Sequence, residues 1–217
     1  GALPVLTVPK DYWATPADEK TLQQLNNDYR RIWFIPAAPD LWDPDHFVEK
    51  FLSRTDDRAI DTRVAEFGLQ LYLTPREFSP KIIPVNVRID NAVLVGYRIR
   101  DIESSPPEVS SRAPFTVVLY WRAEQTIEKD FSVFVHLIDS SGRLVTQKDG
   151  TPAEGVYPTS QWRAGDLVVD AHELPPDAAP GTYSLVAGMY DLATLVRVPV
   201  ADGKGDQATL TQVTITQ

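Results

Sequence analysis

Few residues in this sequence are equipped for chemistry. It contains three histidines, His46, His136 and His172, and no cysteine. Without thiols it forms no disulfide, thiolate metal site or cysteine nucleophile. His136 falls inside an apolar run, and His172 follows Asp170 by two residues. In an extended strand Asp170 and His172 therefore share a face. His136, His172 and Asp170 can be drawn together as a metal site, but no compact ligand spacing joins them. We expect no metal there. His46 reads as a capping-region residue in the first turn of a helix.

Other catalytic patterns are missing. No serine lies in a G-x-S-x-G turn. Asp56 and Asp57 read as a solvated turn after a helix, whereas a glycosidase pair needs carboxylates facing across a cleft. Gly203-Lys204-Gly205-Asp206 lacks the spacing of a phosphate loop and reads as a surface turn. No catalytic residue and no cofactor is assigned.

Aromatic residues offer a different chemistry. Trp121, Trp162, Tyr157, Tyr183 and Tyr190 carry apolar faces that can stack on sugar rings, with nearby polar groups to orient hydroxyls. Trp121 and Tyr183 follow the apolar faces of their strands, so we expect them in the core. Tyr157 and Trp162 lie in a loop containing Pro158-Thr159-Ser160. With Asp149, Arg163 and Asp170 they make the candidate carbohydrate-binding set. The alternative is that this loop simply folds over the edge of the fold.

The elements that must position these groups fall into two sections. In the first, Thr15-Pro16-Ala17-Asp18 predicts a helix start, with Thr15 as cap and Pro16 at the first helical position. Leu22, Leu25 and Tyr29 follow at helical spacing. Arg31 to Ile35 suits a buried strand. Asp43-Pro44-Asp45 predicts a second helix with Phe47, Val48, Phe51 and Leu52 as its buried stripe. Val64 to Leu73 reads as a strand with Phe67, Leu69, Leu71 and Leu73 on one face. Three prolines between Thr74 and Pro84 mark a boundary.

Beyond it the pattern is nearly all β. We expect strands at Val85–Ile89, Ala92–Arg100, Phe115–Ala123, Phe131–Asp139, Arg143–Lys148, Leu167–Leu174, Gly181–Tyr190, Val196–Val200 and Ala208–Thr216. Their short, evenly punctuated spacing favours a sandwich. Phe131 to Ile138 is apolar on both faces, as in a covered mid-sheet strand. Glu103 to Pro114 reads as an exposed loop. The expected fold is α+β: a small α/β segment at 1–80, then an antiparallel β-sandwich at 81–217, immunoglobulin-like or jelly-roll-like.

The 217 residues carry 21 Lys and Arg against 30 Asp and Glu, a net charge of -9. That charge repels phosphate backbones and argues against a nucleic-acid partner. No apolar run approaches the roughly 20 residues that span a bilayer. Gly1-Ala2-Leu3-Pro4 lacks the basic start and apolar core of a secretory signal, and the sequence reads as a piece of a longer chain.

The series LYWRA, FVHLIDSSGRLVTQKDGTPAEG, YPTSQWRAGDLVVD and PGTYSLVAGMYD resembles a known region. It is similar to the C-terminal β-sandwich of bacterial membrane glycosyltransferases of the protein-mannosyltransferase-like type (family 39). The resemblance runs from Ala92 to the end, and Tyr120, Trp121, His136, Asp149, Trp162, Asp170, Tyr183 and Tyr190 are among its distinctive positions. Arg31 to Ile35 and Trp42-Asp43-Pro44 look like the soluble segment that follows the last membrane helix in such enzymes.

The resemblance implies a non-catalytic exterior domain on the extracytoplasmic face of a bacterial membrane. Its first partner would be the membrane domain of the same polypeptide, where sugar is transferred from a lipid-phosphate donor. A glycan or protein acceptor is a further expected partner. The family's catalytic acids lie in the membrane part, so none is carried onto this sequence. Two rival expectations are a carbohydrate-binding module of a secreted protein and a structural protein-interaction domain. The second requires an apolar patch, expected on the N-terminal layer.

Overall fold

A computed structural model describes residues 4–9, 13–36, 41, 43–201 and 205–217. The chain divides into two compact units, Gly1–Pro80 and Lys81–Gln217. It is α+β: a small mixed unit, then a β-sandwich in antiparallel sheets. Trp42, Gly203 and Lys204, which enter the motifs above, lie outside the described residues.

In the first unit, helix α1 spans Pro16–Asp28. Its capping pair forms as the sequence suggests: Thr15 donates its backbone N–H (2.9 Å) and its hydroxyl (2.6 Å) to Asp18 Oδ2. Helix α2, Phe47–Thr55, starts later than the proline suggested because His46 turns left-handed at φ 52°. Asp43 still caps it, its carboxylate accepting from the backbone N–H of Phe47 (2.8 Å) and Val48 (2.9 Å). Val48, Phe51 and Leu52 bury against Leu22 of α1 and Tyr72.

Strands β1 (Arg31–Phe34), β2 (Asp57–Val64) and β3 (Phe67–Leu73) form an antiparallel sheet in the order β1-β3-β2. Three expectations are corrected here. β1 is an edge strand with Trp33 exposed, not a buried one. Asp56 and Asp57 are both buried and lead straight into β2, so they are no solvated turn. Phe67, Leu69, Leu71 and Leu73 do alternate, but β3 reaches the helix-packed core through Tyr72, on the opposite face. A short helix α3, Pro75–Phe78, follows.

In the second unit, one sheet holds β4 (Ile83–Ile89), β5 (Ala92–Ile99), β7 (Phe115–Ala123) and β10 (Leu167–Leu174). Their order is β10-β7-β5-β4. The other sheet holds β6 (Glu108–Ser110), β8 (Phe131–Ile138), β9 (Leu144–Gly150), β11 (Gly181–Asp191) and β12 (Ala208–Thr216). Its order is β6-β12-β11-β8-β9. β6 arises inside the expected loop and pairs parallel to β12. The expected strand Val196–Val200 makes only single bridges, Arg197 to Tyr190 and Val200 to Ile89. Pro199 offers no N–H to a ladder.

Register assigns the faces. Leu137 pairs Leu185, Val135 pairs Ala187 and Val133 pairs Met189. These fully buried rows meet Leu94, Val117, Leu119 and Trp121 of the facing sheet. Each such side chain contributes about 1.5–3 kcal/mol by leaving water. The alternate residues of β8, Ser132, Phe134 and His136, point outward with Tyr190, Gly188 and Val186 of β11. This outward row carries the site.

Candidate functional site

The five candidate sugar contacts are not brought together. Tyr157 and Trp162 are 5% and 1% exposed and belong to the sandwich core. Two short 3-10 turns, Ala153–Gly155 and Thr159–Gln161, fold the loop inward. Trp162 Nε1 donates to the Tyr157 carbonyl (2.9 Å), and its ring lies 6.4 Å from that of Trp121. The Tyr157 hydroxyl lies 2.6 Å from Asp166 Oδ2 and 2.8 Å from the Gln161 carbonyl, with one hydrogen to donate between them. Both polar handles are satisfied within the loop, so neither ring offers a face to a sugar. Arg163 is exposed, and its backbone N–H binds Asp166 (2.9 Å).

Asp170 and His172 share a face, as their spacing predicts, but it is the interior one. Their register partners on β7 are the core residues Leu119 and Val117. Asp170 Oδ1 accepts from the Ala153 N–H (3.1 Å), and Oδ2 lies 2.8 Å from His172 Nε2. His172 Nδ1 lies 3.2 Å from the Lys148 carbonyl. A carbonyl only accepts, so Nδ1 carries a hydrogen. The pair clamps β10 of one sheet to β9 of the other. His136 points outward instead, so the triad His136, His172 and Asp170 is not assembled. Among the described residues no three His, Asp or Glu side chains converge as metal ligands.

Of the five, only Asp149 enters a polar cluster on the outward face. His136 Nε2 lies 3.1 Å from Asp149 Oδ1 on the neighbouring strand β9. On its other side His136 Nδ1 is 3.3 Å from Arg197 Nη2. A guanidinium only donates, so Nδ1 holds the lone pair and Nε2–H donates to Asp149. Arg197 also donates to Gln207 Oε1 (3.0 Å) and Asp206 Oδ1 (3.3 Å). Its Cζ sits 4.3 Å over the Phe134 ring centroid, a cation–π contact. Phe134 stacks at 25° against Tyr190, centroids 6.5 Å apart, and lies 4.6 Å from the His136 ring.

Burial pushes the His136 imidazole below its ordinary value of 6.5; Asp149 opposes that shift and Arg197 adds to it. His136 is buried, while the side chains of Asp149 and Arg197 remain 26% and 34% exposed. Their edges reach solvent beside half-buried Tyr190. Phe134 and His136, two apart in β8, share its outward face, and nothing local in the sequence points to Arg197.

No family model matches the sequence, and no curated protein matches it. Among solved structures, the chain is similar to the C-terminal domain of wzt. The identity is 14% and the TM-score 0.41, over 62% of this chain and 83% of that one. A likeness so distant transfers no residue's role.

The outward cluster presents fixed hydrogen-bonding groups and a ring edge, with no nucleophile beside a base. A second surface lies on the first unit. Trp33 (49% exposed), Val64 (58%) and Phe67 (52%) occupy one face of its sheet, opposite to that of Tyr72.

Proposed function

We propose that the Lys81–Gln217 sandwich is a non-catalytic glycan-recognition module. The observation that carries this reading is the chain of planar polar groups Asp149–His136–Arg197–Gln207 beside Tyr190. Sugar hydroxyls need donors and acceptors held in fixed directions, because only preorganised groups compete with water for them. Here each group is fixed by the next, and the end members keep exposed edges. Tyr190 adds an apolar surface suited to ring C–H groups.

The finer reading is that this module forms the extracytoplasmic domain of a bacterial, membrane-embedded, lipid-phosphate-sugar-dependent glycosyltransferase. Its support is the sequence resemblance from Ala92 onward. Catalysis would belong to the membrane domain of the same polypeptide, and this domain would hold the acceptor or glycan.

A glycan array followed by calorimetry tests the recognition reading. Binding that Asp149→Ala abolishes, with Arg163→Ala neutral, supports it. No binding to any glycan sinks it. The gene sequence upstream of Gly1 tests the membrane reading: many transmembrane helices support it, and a signal peptide alone refutes it.

One observation favours a second reading for the first unit. The exposed Trp33, Val64 and Phe67 on a single sheet face suit a protein-interaction surface. Crosslinking from that face to another chain, lost with Phe67→Ser, tests it.

A further inference from the structure

The outward cluster contains a titratable group whose protonation state is fixed by its neighbours, and that group holds the cover of an aromatic surface. Arg197 shields Phe134, which is fully buried although it points away from the sandwich core. Among the described residues His136 is one of three anchors of that guanidinium, with Gln207 and Asp206. It is the only anchor whose bond to Arg197 depends on a neutral imidazole.

We infer that protonation of His136 releases Arg197 from Phe134 and opens the Phe134–Tyr190 ring pair to ligand. The argument is one of hydrogen count. In the neutral ring Nδ1 accepts from Arg197. A proton arriving there removes the acceptor and sets N–H against N–H at a separation of 3.3 Å. It also places two cations in contact. Asp149 from β9 stays with Nε2–H and compensates the imidazolium. Asp206 and Gln207, from the segment before β12, hold Arg197 by its other nitrogen, Nη1, so the guanidinium keeps these partners when the His136 bond is lost. Tyr190 from β11 meets the cluster through the Phe134 ring and through its backbone bridge to Arg197. No further charged group faces His136 among the described residues that contact it.

The sign follows from burial. The folded-state value of His136 lies below 6.5, so the ring is neutral at neutral pH and takes up its proton only in more acidic solution. The cover is closed at neutral pH and opens with acid. The opening itself stands independently of any ligand; its effect on binding rests on the glycan reading above.

Nuclear magnetic resonance on the whole chain tests the opening. The Arg197 guanidinium lies over the Phe134 ring, 4.3 Å from its centroid at Cζ, so its N–H protons feel the ring current. They should lose their upfield shift in step with the His136 Nδ1 titration, followed from neutral pH down to well below 6.5, in roughly a single-proton transition. His136→Gln should abolish the step, and Arg197→Ala should show an exposed Phe134 at every pH. An Arg197 signal that stays fixed while His136 titrates overturns the inference, as does an identical step in His136→Gln.

Mannotriose binding, measured at both pH limits, tests the ligand half. Roughly threefold to tenfold tighter binding in acid is expected. Opening without any mannotriose binding refutes the ligand half and leaves the gate intact. Equal binding at both limits with Arg197 fixed refutes the gate and leaves recognition intact.

Discussion

Gly188 lies against the ring of Phe134, its direct register partner on β8. A Cβ at Gly188 would stand 2.4 Å from Phe134 Cζ and 3.0 Å from the Asp206 carbonyl oxygen. No side chain fits without moving the ring that Arg197 covers. Gly188→Ala should destabilise the protein by about 1–3 kcal/mol through overpacking. Denaturant titration measures this, and Phe134→Leu in the same chain should recover part of the loss. Additive losses would show that the two positions do not press on each other.

Asp170 tests the interior clamp. Asp170→Ala leaves His172 buried without its partner and should cost about 3–5 kcal/mol. Asp170→Asn should cost far less, because its amide donates to Nε2 while its carbonyl still accepts from Ala153. Urea unfolding of the two variants separates these outcomes. Equal losses would mean the carboxylate charge itself is required.

Trp162 tests the corrected assignment of the loop. Trp162→Ala should cost about 3–5 kcal/mol, as expected for emptying a core position of that size. Any glycan affinity, compared at a temperature where both proteins are folded, should not change. A variant that stays stable but loses binding would return the loop to the site.

Asp56 gives a pH prediction. Burial holds its carboxyl well above the usual 3.8, against the hydrogen bonds from Thr55 and Asn26. The folded state keeps a proton that the unfolded chain releases. Its stabilising contribution is therefore complete below about pH 3.8 and lost as pH rises through the folded-state value. Asn26 Oδ1 and Asp56 Oδ2 are both buried without a hydrogen-bond partner, while Asn26 Nδ2 donates to Asp56 Oδ1 at 2.6 Å. Asp56→Asn supplies a permanent donor. It should flatten the pH dependence of the melting temperature and raise it at neutral pH. A lower melting temperature at every pH would refute this.

The sandwich was legible where alternation and turn residues agree. Phe115–Ala123, Leu167–Leu174 and Ala208–Thr216 are strands at the bounds their patterns suggest. The hairpin at Gly142 also follows from its residues, with φ 82° at the glycine. β2 was hidden because Arg58, Asp61 and Arg63 give it no apolar face, and its turn puts Ala65 rather than Gly at positive φ. β6 was hidden because three residues in a Ser- and Pro-rich stretch carry no period, and its partner β12 lies at the far end of the sequence.

The site was less legible than the fold. Asp149 was named for its type, yet Arg197 reaches its partner His136 only because β8, β9, β11 and the approach to β12 adjoin. Tyr157 and Trp162 misled through their loop position. Position in a loop predicts exposure, but two tight turns and an internal Trp-to-carbonyl bond reversed it.

The parallel pairing of β6 with β12 has a kinetic consequence. β12 is an interior strand, flanked by β6 and β11, although it follows both in the sequence. Thr216 bonds the carbonyl of Val109 across 107 positions. Closing so long a loop precedes any reward from the contact, so sheet completion is slow. On a ribosome, β11 and β6 must wait with open edges until β12 emerges. During that interval the nascent chain exposes unpaired strand edges, which are prone to pair with other chains.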